Sequence, residues 1–287
     1  MPQPPLADVP TDRDQARPIV VCADDYGMNE AVSRAIVSLA REARLSATSA
    51  MVLSPLWPQH AAWLQDCRDQ LDVGLHLDWT SPFAVAQGHG MPLGRLMLQA
   101  LLRQLSPEQV RGAIERQLDL FERHWQAPPD HVDGHQHVQQ FPVIREQLVQ
   151  VLAKRYPQTG PRPWLRVSQP LSPGGDAKAW VIGAMGAKAL AGLAQRAGLA
   201  HSAWLTGIDD FNADRAVYQQ RLVRWLTQAS RARAVVLMCH PGDGVADVSD
   251  AIAAARVREY EVLRSADWPR ALQAQGCRLA RGQLVLA

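Results

Sequence analysis

The chain has 287 residues, 47% of them hydrophobic, with 30 basic against 28 acidic side chains and a formal net charge of +2. That supply of apolar residues suits one large core, and the near balance of charge excludes the strongly basic field of a nucleic-acid-binding protein. Four scattered cysteines, Cys22, Cys67, Cys239 and Cys277, lack CxxC spacing, which excludes a zinc knuckle or a dense disulfide framework and points to reduced thiols.

Residues 1–17 are proline-rich and charged, with no apolar core of a signal peptide, so they read as a flexible leader of a cytoplasmic protein. From residue 18 to 287 the pattern is that of one domain. Pro18–Ala23 is a short apolar run ending at Asp24-Asp25, and Asn29–Arg44 follows as a helix, with Val32, Ile36, Leu39 and Ala43 at helical spacing. Leu71–Leu75 is the next strand, leading into His76 and Asp78. Gly88, Gly90, Pro92 and Gly94 then mark 79–105 as an irregular insertion, a loop or lid facing the substrate. A helix starts at the capping Ser106 and stops before Pro128-Pro129.

The strands Asp130–Asp133, Trp164–Val167, Ala203–Thr206 and Ala234–Cys239 alternate with helices near 176–197, 213–230 and 249–275, and Gln283–Leu286 closes the chain as a last strand. Trp180–Leu199 is the most apolar long segment, but Lys188 and Arg196 interrupt it, so no integral membrane contact is expected. Strands alternating with helices give an α/β fold with a parallel sheet. Polar residues at several strand ends favour a TIM-barrel-like (β/α) barrel over an open sheet, because the loops after barrel strands build the site.

Those strand ends carry the chemistry. In an extended strand, His131, Asp133, His135 and His137 would share one face, and such a face needs a partner, which a divalent metal ion supplies. His76 and one aspartate of the Asp24-Asp25 pair would complete a site of two histidines and a carboxylate. The other aspartate would take a proton from water. One histidine of the cluster would bind the ion, with support from a neighbour such as Asp133. His240, before Pro241-Gly242, is placed to act as a general acid. Arg166 is a cation in a buried strand and needs a carboxylate partner, Asp24 or a structural acid. Core packing is the expected role for most of the nine tryptophans, and Trp79, Trp164 and Trp204, near strand ends, are the best candidates for stacking on a sugar.

Ala23-Asp24-Asp25-Tyr26-Gly27, Gly74-Leu75-His76-Leu77, His131 to His137 and Cys239-His240-Pro241-Gly242 occur in the order and spacing that resembles the YdjC-like carbohydrate deacetylases, of the chitooligosaccharide and hopanoid-associated types. The resemblance runs from about residue 18 to 280. It implies an irregular (β/α) barrel that removes the acetyl group from an N-acetylated sugar through metal-activated water. Asp25, His76 and His135 would hold one divalent ion, Asp24 would be the base and His240 the acid. Descriptions of the family give magnesium, whereas two imidazoles and a carboxylate suit zinc. Asp78, Asp133, His137 and Arg166 are left as substrate-facing or supporting residues. Gln139 stands where members commonly carry a further histidine, and Tyr26 where they carry Phe. The alternatives are a lipid- or hopanoid-linked glycan as substrate, or a sugar-binding barrel without turnover. A homodimer is left open.

Overall fold

The computed structural model describes residues 16–171, 177–244 and 250–286, so the leader, apart from its last two residues, lies outside the described residues. Eight strands form one parallel sheet: β1 (Arg17–Tyr26), β2 (Ala47–Ala50), β3 (Asp72–Leu77), β4 (His131–Gly134), β5 (Trp164–Leu165), β6 (Trp204–Thr206), β7 (Val235–Cys239) and β8 (Cys277–Leu279). The spatial order is β5-β4-β3-β2-β1-β7-β6, with β8 added beside the start of β1. Bridges from Leu165 to His201 and from Pro170 to Leu205 join the two ends of this order, so the sheet curls into an irregular (β/α) barrel.

The two faces of β1 show how the barrel is filled. Val20 and Cys22 point into the lumen with Ala47, Trp164, Leu205, Val236 and Met238, whereas Ile19, Val21 and Ala23 pack against the outer helices. Followed upward at every second residue, the lumen-facing positions become polar: Asp24 after Cys22, Ser49 after Ala47, His76 after Gly74, Asp133 after His131, and Arg166 after Trp164. The lower lumen is plugged by a C-terminal helix, Gly282–Val285. Asp72 there accepts hydrogen bonds from Trp164 Nε1 at 3.1 Å, Arg281 Nε at 2.6 Å and the Gln283 amide at 3.1 Å.

Several sequence expectations change. The expected terminal strand at 283–286 is this plugging helix, and the last strand is β8, six residues earlier; Leu284 is exposed, so the apolar run is one helical turn against the barrel floor. Arg17, placed in the leader, already pairs in β1 with Cys277. The helix expected over 249–275 is two, Ala253–Arg264 and Asp267–Ala274, and that over 176–197 is broken at Gly186, whose φ of 132° only glycine adopts readily. The 79–105 insertion contains helices Pro82–Ala86 and Leu93–Leu101. β2 is not among the expected strands, because Ala-Thr-Ser-Ala has no apolar run; Ala47 and Ser49 face a narrow lumen with room only for small side chains.

Gly74 has a packing reason. A Cβ there would lie 2.4 Å from the His131 ring, which stacks on Trp164 with centroids 4.4 Å apart. We predict that Gly74→Ala destabilises the fold by about 1–3 kcal/mol through overpacking of the lumen, read as a lower midpoint in urea unfolding.

Candidate functional site

The two aspartates reach one mouth because β1 bulges. Between Ala23 and Tyr26 the strand advances three residues while β2 advances two, from Thr48 to Ala50. Asp25 absorbs the extra residue with φ 68°, a left-handed conformation that aspartate tolerates better than most side chains. Asp24 and Asp25, which a regular strand would send to opposite faces, therefore both line the same cavity.

The histidine cluster is extended only as far as Gly134. From His135 the chain turns into a tight helical segment, with Gln136 and His137 both left-handed at φ 54° and 62°. The expected alternation over seven residues thus holds for His131 and Asp133 alone. The turn lifts His135 to the cavity, where its Nδ1 lies 3.0 Å from Asp25 Oδ1, while His76 Nε2 lies 3.4 Å from the same oxygen. Two donors about 2.1 Å from one ion and roughly at right angles or tetrahedrally disposed are themselves about 3.0–3.4 Å apart, so the separations of His76 and His135 from Asp25 suit a shared divalent ion, and all three ligand atoms lie within 4.8 Å of one another. Asp133 accepts from His76 Nδ1 at 2.6 Å, which leaves Nε2 turned to Asp25, and Arg256 Nη2 takes the other Asp25 oxygen at 2.7 Å.

Arg166 is the buried cation of this floor. Its Nη1 and Nη2 donate to the two Asp24 oxygens at 2.6 and 2.7 Å, and Nη1 lies 3.0 Å from Asp133 Oδ2. Ser49 Oγ donates to the same Asp133 oxygen at 2.6 Å. Burial pushes the Asp24 carboxyl up, but Arg166 and His76 outweigh it and hold it below its usual range. Burial is likewise overcome at Asp133 by Arg166 and His76, and at Asp25 by Arg256 and His135, and both stay well below the ordinary carboxylate range. For His76, burial is outweighed by Asp133 and Asp24, which push it up to about 10 before any ion displaces the proton.

His240 sits across the cavity, with Nε2 3.9 Å from Asp24 Oδ2 and its ring edge-on to Phe211 at 5.3 Å. Burial brings it down to about 4 against the pull of Asp24 and Asp25, so it is neutral at pH 7. Its backbone amide donates to the buried Glu259 at 2.7 Å. The cavity has a volume of about 650 Å³, and its walls above the polar floor are mostly apolar, with Leu93, Met97, Ile182, Met185 and Ile252, although Gln136, Lys178 and Asp250 also line it.

Of the expected residues, Asp24, Asp25, His76, His135 and His240 meet at this cavity and His137 lines it, with its Nδ1 3.0 Å from Ser168 Oγ. Asp133 and Arg166 lie beneath. Asp78 lies elsewhere: it accepts from the amides of Thr80 and Ser81 and from the Ser81 hydroxyl, so it ties its own loop. Gln139 is buried, donating to the Arg166 carbonyl at 3.0 Å and to Ser168 at 3.1 Å, and braces the turn rather than facing a substrate. Trp79 and Trp164 are buried, which removes both as sugar platforms. Sequence reasoning missed Ser49, Arg256 and Glu259. Arg256 and Glu259 share one helical face with Leu263, and charges at core positions of a helix were the available signal.

Residues 18–274 match the YdjC-like protein family. The chain belongs to that family. Among curated relatives, a chitooligosaccharide deacetylase of Proteus mirabilis is 33% identical over 138 residues, 45% of this chain and 54% of its own length. A carbohydrate deacetylase of Danio rerio is 30% identical over 146 residues, 47% of this chain and 46% of its own. The chain thus spans about half the length of the curated relatives it matches. A solved structure from Enterococcus faecalis V583, named for cellobiose-phosphate cleavage, shares the fold with TM-score 0.70 at 19% identity, covering 94% of this chain and 99% of that one.

In this YdjC-like site Glu259 couples stability to pH. Burial, with Asp209 adding to it, pushes its carboxyl up to about 7, against the pull of the His240 amide and nearby arginines. A carboxyl raised on folding supports stability fully below its unfolded value of about 4.5 and loses that support as pH rises through 7. We predict that Glu259→Gln flattens the fall in stability between pH 5 and 8, a fall of about 2–3 kcal/mol in the parent, measured by urea unfolding across that range.

Proposed function

We propose that this protein is a metal-dependent hydrolase that removes the acetyl group from an N-acetylated sugar. The observation that carries the reading is the β1 bulge, which sets two carboxylates with different partners side by side: Asp25 against His76 and His135, Asp24 against Arg166 and His240. Asp25, His76 and His135 would hold one divalent ion, and two imidazoles with one carboxylate favour zinc or a similar transition ion over magnesium. When bound, the ion supplies a water of lowered pKa and polarises the acetyl carbonyl.

Asp24 serves as the base. Arg166 fixes both of its oxygens and keeps it ionised, so it accepts the proton that water loses as it attacks the carbonyl. His240 is neutral at rest, so the proton it gives to the departing amine must first be gained within the reaction. With Asp24 Oδ2 3.9 Å from its Nε2, a short shift lets His240 take that proton from Asp24 and deliver it to nitrogen. Water and amide become acetate and a free amino sugar. Asp133 holds the His76 ring in place throughout.

The apolar walls of the cavity favour a second reading of the substrate, a glycan carried on a lipid or hopanoid, over a bare oligosaccharide. Acetate release from N-acetylglucosamine oligomers and from an N-acetylated glycolipid, with metal content measured on the same preparation, tests both. No acetate from either substrate by metal-loaded protein would leave only a binding role. We expect His135→Ala to lose metal and acetate release together. Asp24→Asn should keep its metal while acetate release falls at least about a hundredfold; an unchanged rate in that variant would remove Asp24 as base.

A further inference from the structure

The helices flanking the cavity are apolar on their outer sides as well. Leu93–Leu101 supplies Leu93 and Met97 to the wall, and Ala177–Ala184 supplies Val181 and Ile182. Yet Leu98, Leu101 and Leu102 are 58%, 64% and 57% exposed, and Trp180 is 64% exposed. Among the described residues, four of the nine exposed large apolar side chains, Leu98, Leu101, Trp180 and Val181, fall on these two helices; Leu102 directly follows the first, Val85 is on Pro82–Ala86, and the others are Val217, Val223 and Leu284. Exposed apolar area on one side of a protein, continuous with a binding cavity, marks a contact surface.

The charge on the same segments is one-sided. Residues 79–107 contain no Asp or Glu and carry Arg95 and Arg103; residues 177–206 contain none and carry Lys178, Lys188 and Arg196, in a chain with 28 acidic residues. Leucine and tryptophan presented together with arginine and lysine, and without acids, is the composition of a helix face lying in the headgroup region of an anionic bilayer. None of the described helices is long and apolar enough to cross a membrane, so the contact is with its surface.

We propose that this face docks on an anionic lipid bilayer, so that the mouth of the site opens onto the membrane surface. Leu101, Leu102 and Trp180 would enter the headgroup region while Arg95 and Lys188 meet lipid phosphates; Arg103 lies 3.6 Å from Glu146 Oε1 and is already paired. Docking requires no turnover, so it stands or falls separately from the deacetylase reading.

The test is co-sedimentation of the full chain with phosphatidylcholine vesicles, with and without phosphatidylglycerol, at low and high salt. The protein is expected to pellet with phosphatidylglycerol vesicles, more weakly as salt rises and far less with phosphatidylcholine alone. The triple variant Trp180→Ser, Leu101→Ser, Leu102→Ser is expected to partition about tenfold less or weaker still, with an unchanged thermal midpoint, because all three side chains are exposed. Wild-type protein that stays in the supernatant with phosphatidylglycerol vesicles overturns the proposal, as does a triple variant that binds as the parent does. A dimer in dilute solution that the same substitutions convert to monomer also overturns it, assigning the face to a second copy.

Discussion

The arrangement depends on one buried cation. Arg166 has no solvent exposure, and its guanidinium is shared between Asp24 and Asp133 inside the barrel. Without it, two carboxylates in the same lumen would raise each other's proton affinity, and one would hold a proton at neutral pH. Whichever of the two held that proton would then be lost as a charged acceptor, Asp133 for the His76 ring or Asp24 within the cavity. Breaking such a group by removing one member typically costs about 3–5 kcal/mol, because the remaining charges lose their partners within a medium that solvates them poorly. The arginine is held in turn by its backbone: its amide donates to the Val132 carbonyl at 3.1 Å, and its carbonyl accepts from Gln139.

Height within the barrel separates stability from chemistry. At the floor, Trp164, Asp72 and the plugging helix close the lumen with ordinary packing and hydrogen bonds. Beside Trp164 in the same layer, the His131 ring stacks on it in space that Gly74 leaves free. At the top stand the ionised groups. The left-handed residues Asp25, Gln136 and His137 all occur in this upper layer, where backbone strain of about 1–3 kcal/mol each is sustained by the closed scaffold below. Local strain and the placement of Asp25 and His135 have the same origin, since each side chain reaches the cavity only because the strand before or around it breaks its regular geometry.

That origin explains what could be read from residues alone. The α/β alternation, six of the eight strands and the helix capped by Ser106 were legible, because apolar runs and capping residues act over a few positions. Asp24, Asp25, His76 and His240 were legible as polar residues ending apolar strands. The seven-residue alternation at His131 was misleading, since period two assumes a straight strand and nothing in Gly134-His135-Gln136-His137 announces two consecutive left-handed residues. Arg256 was hidden because its partner Asp25 lies 231 positions away. β2 was hidden because lumen-facing strands in a narrow barrel need small residues rather than hydrophobic ones. Long-range partners and local backbone breaks are the two kinds of information that spacing does not encode.

The cavity joins two environments that reinforce each other. Its floor is a set of ionised groups, and four of the chain's seven methionines, Met28, Met97, Met185 and Met238, contribute to its lining. Apolar side chains above the floor exclude water when a ligand is seated, and the lower effective dielectric strengthens the Arg166–Asp24 and Asp133–His76 interactions beneath. Methionine does this without imposing one shape, because its unbranched and polarisable side chain repacks easily. The floor is therefore fixed by its ion pairs, whereas the walls tolerate variety in what is seated against them.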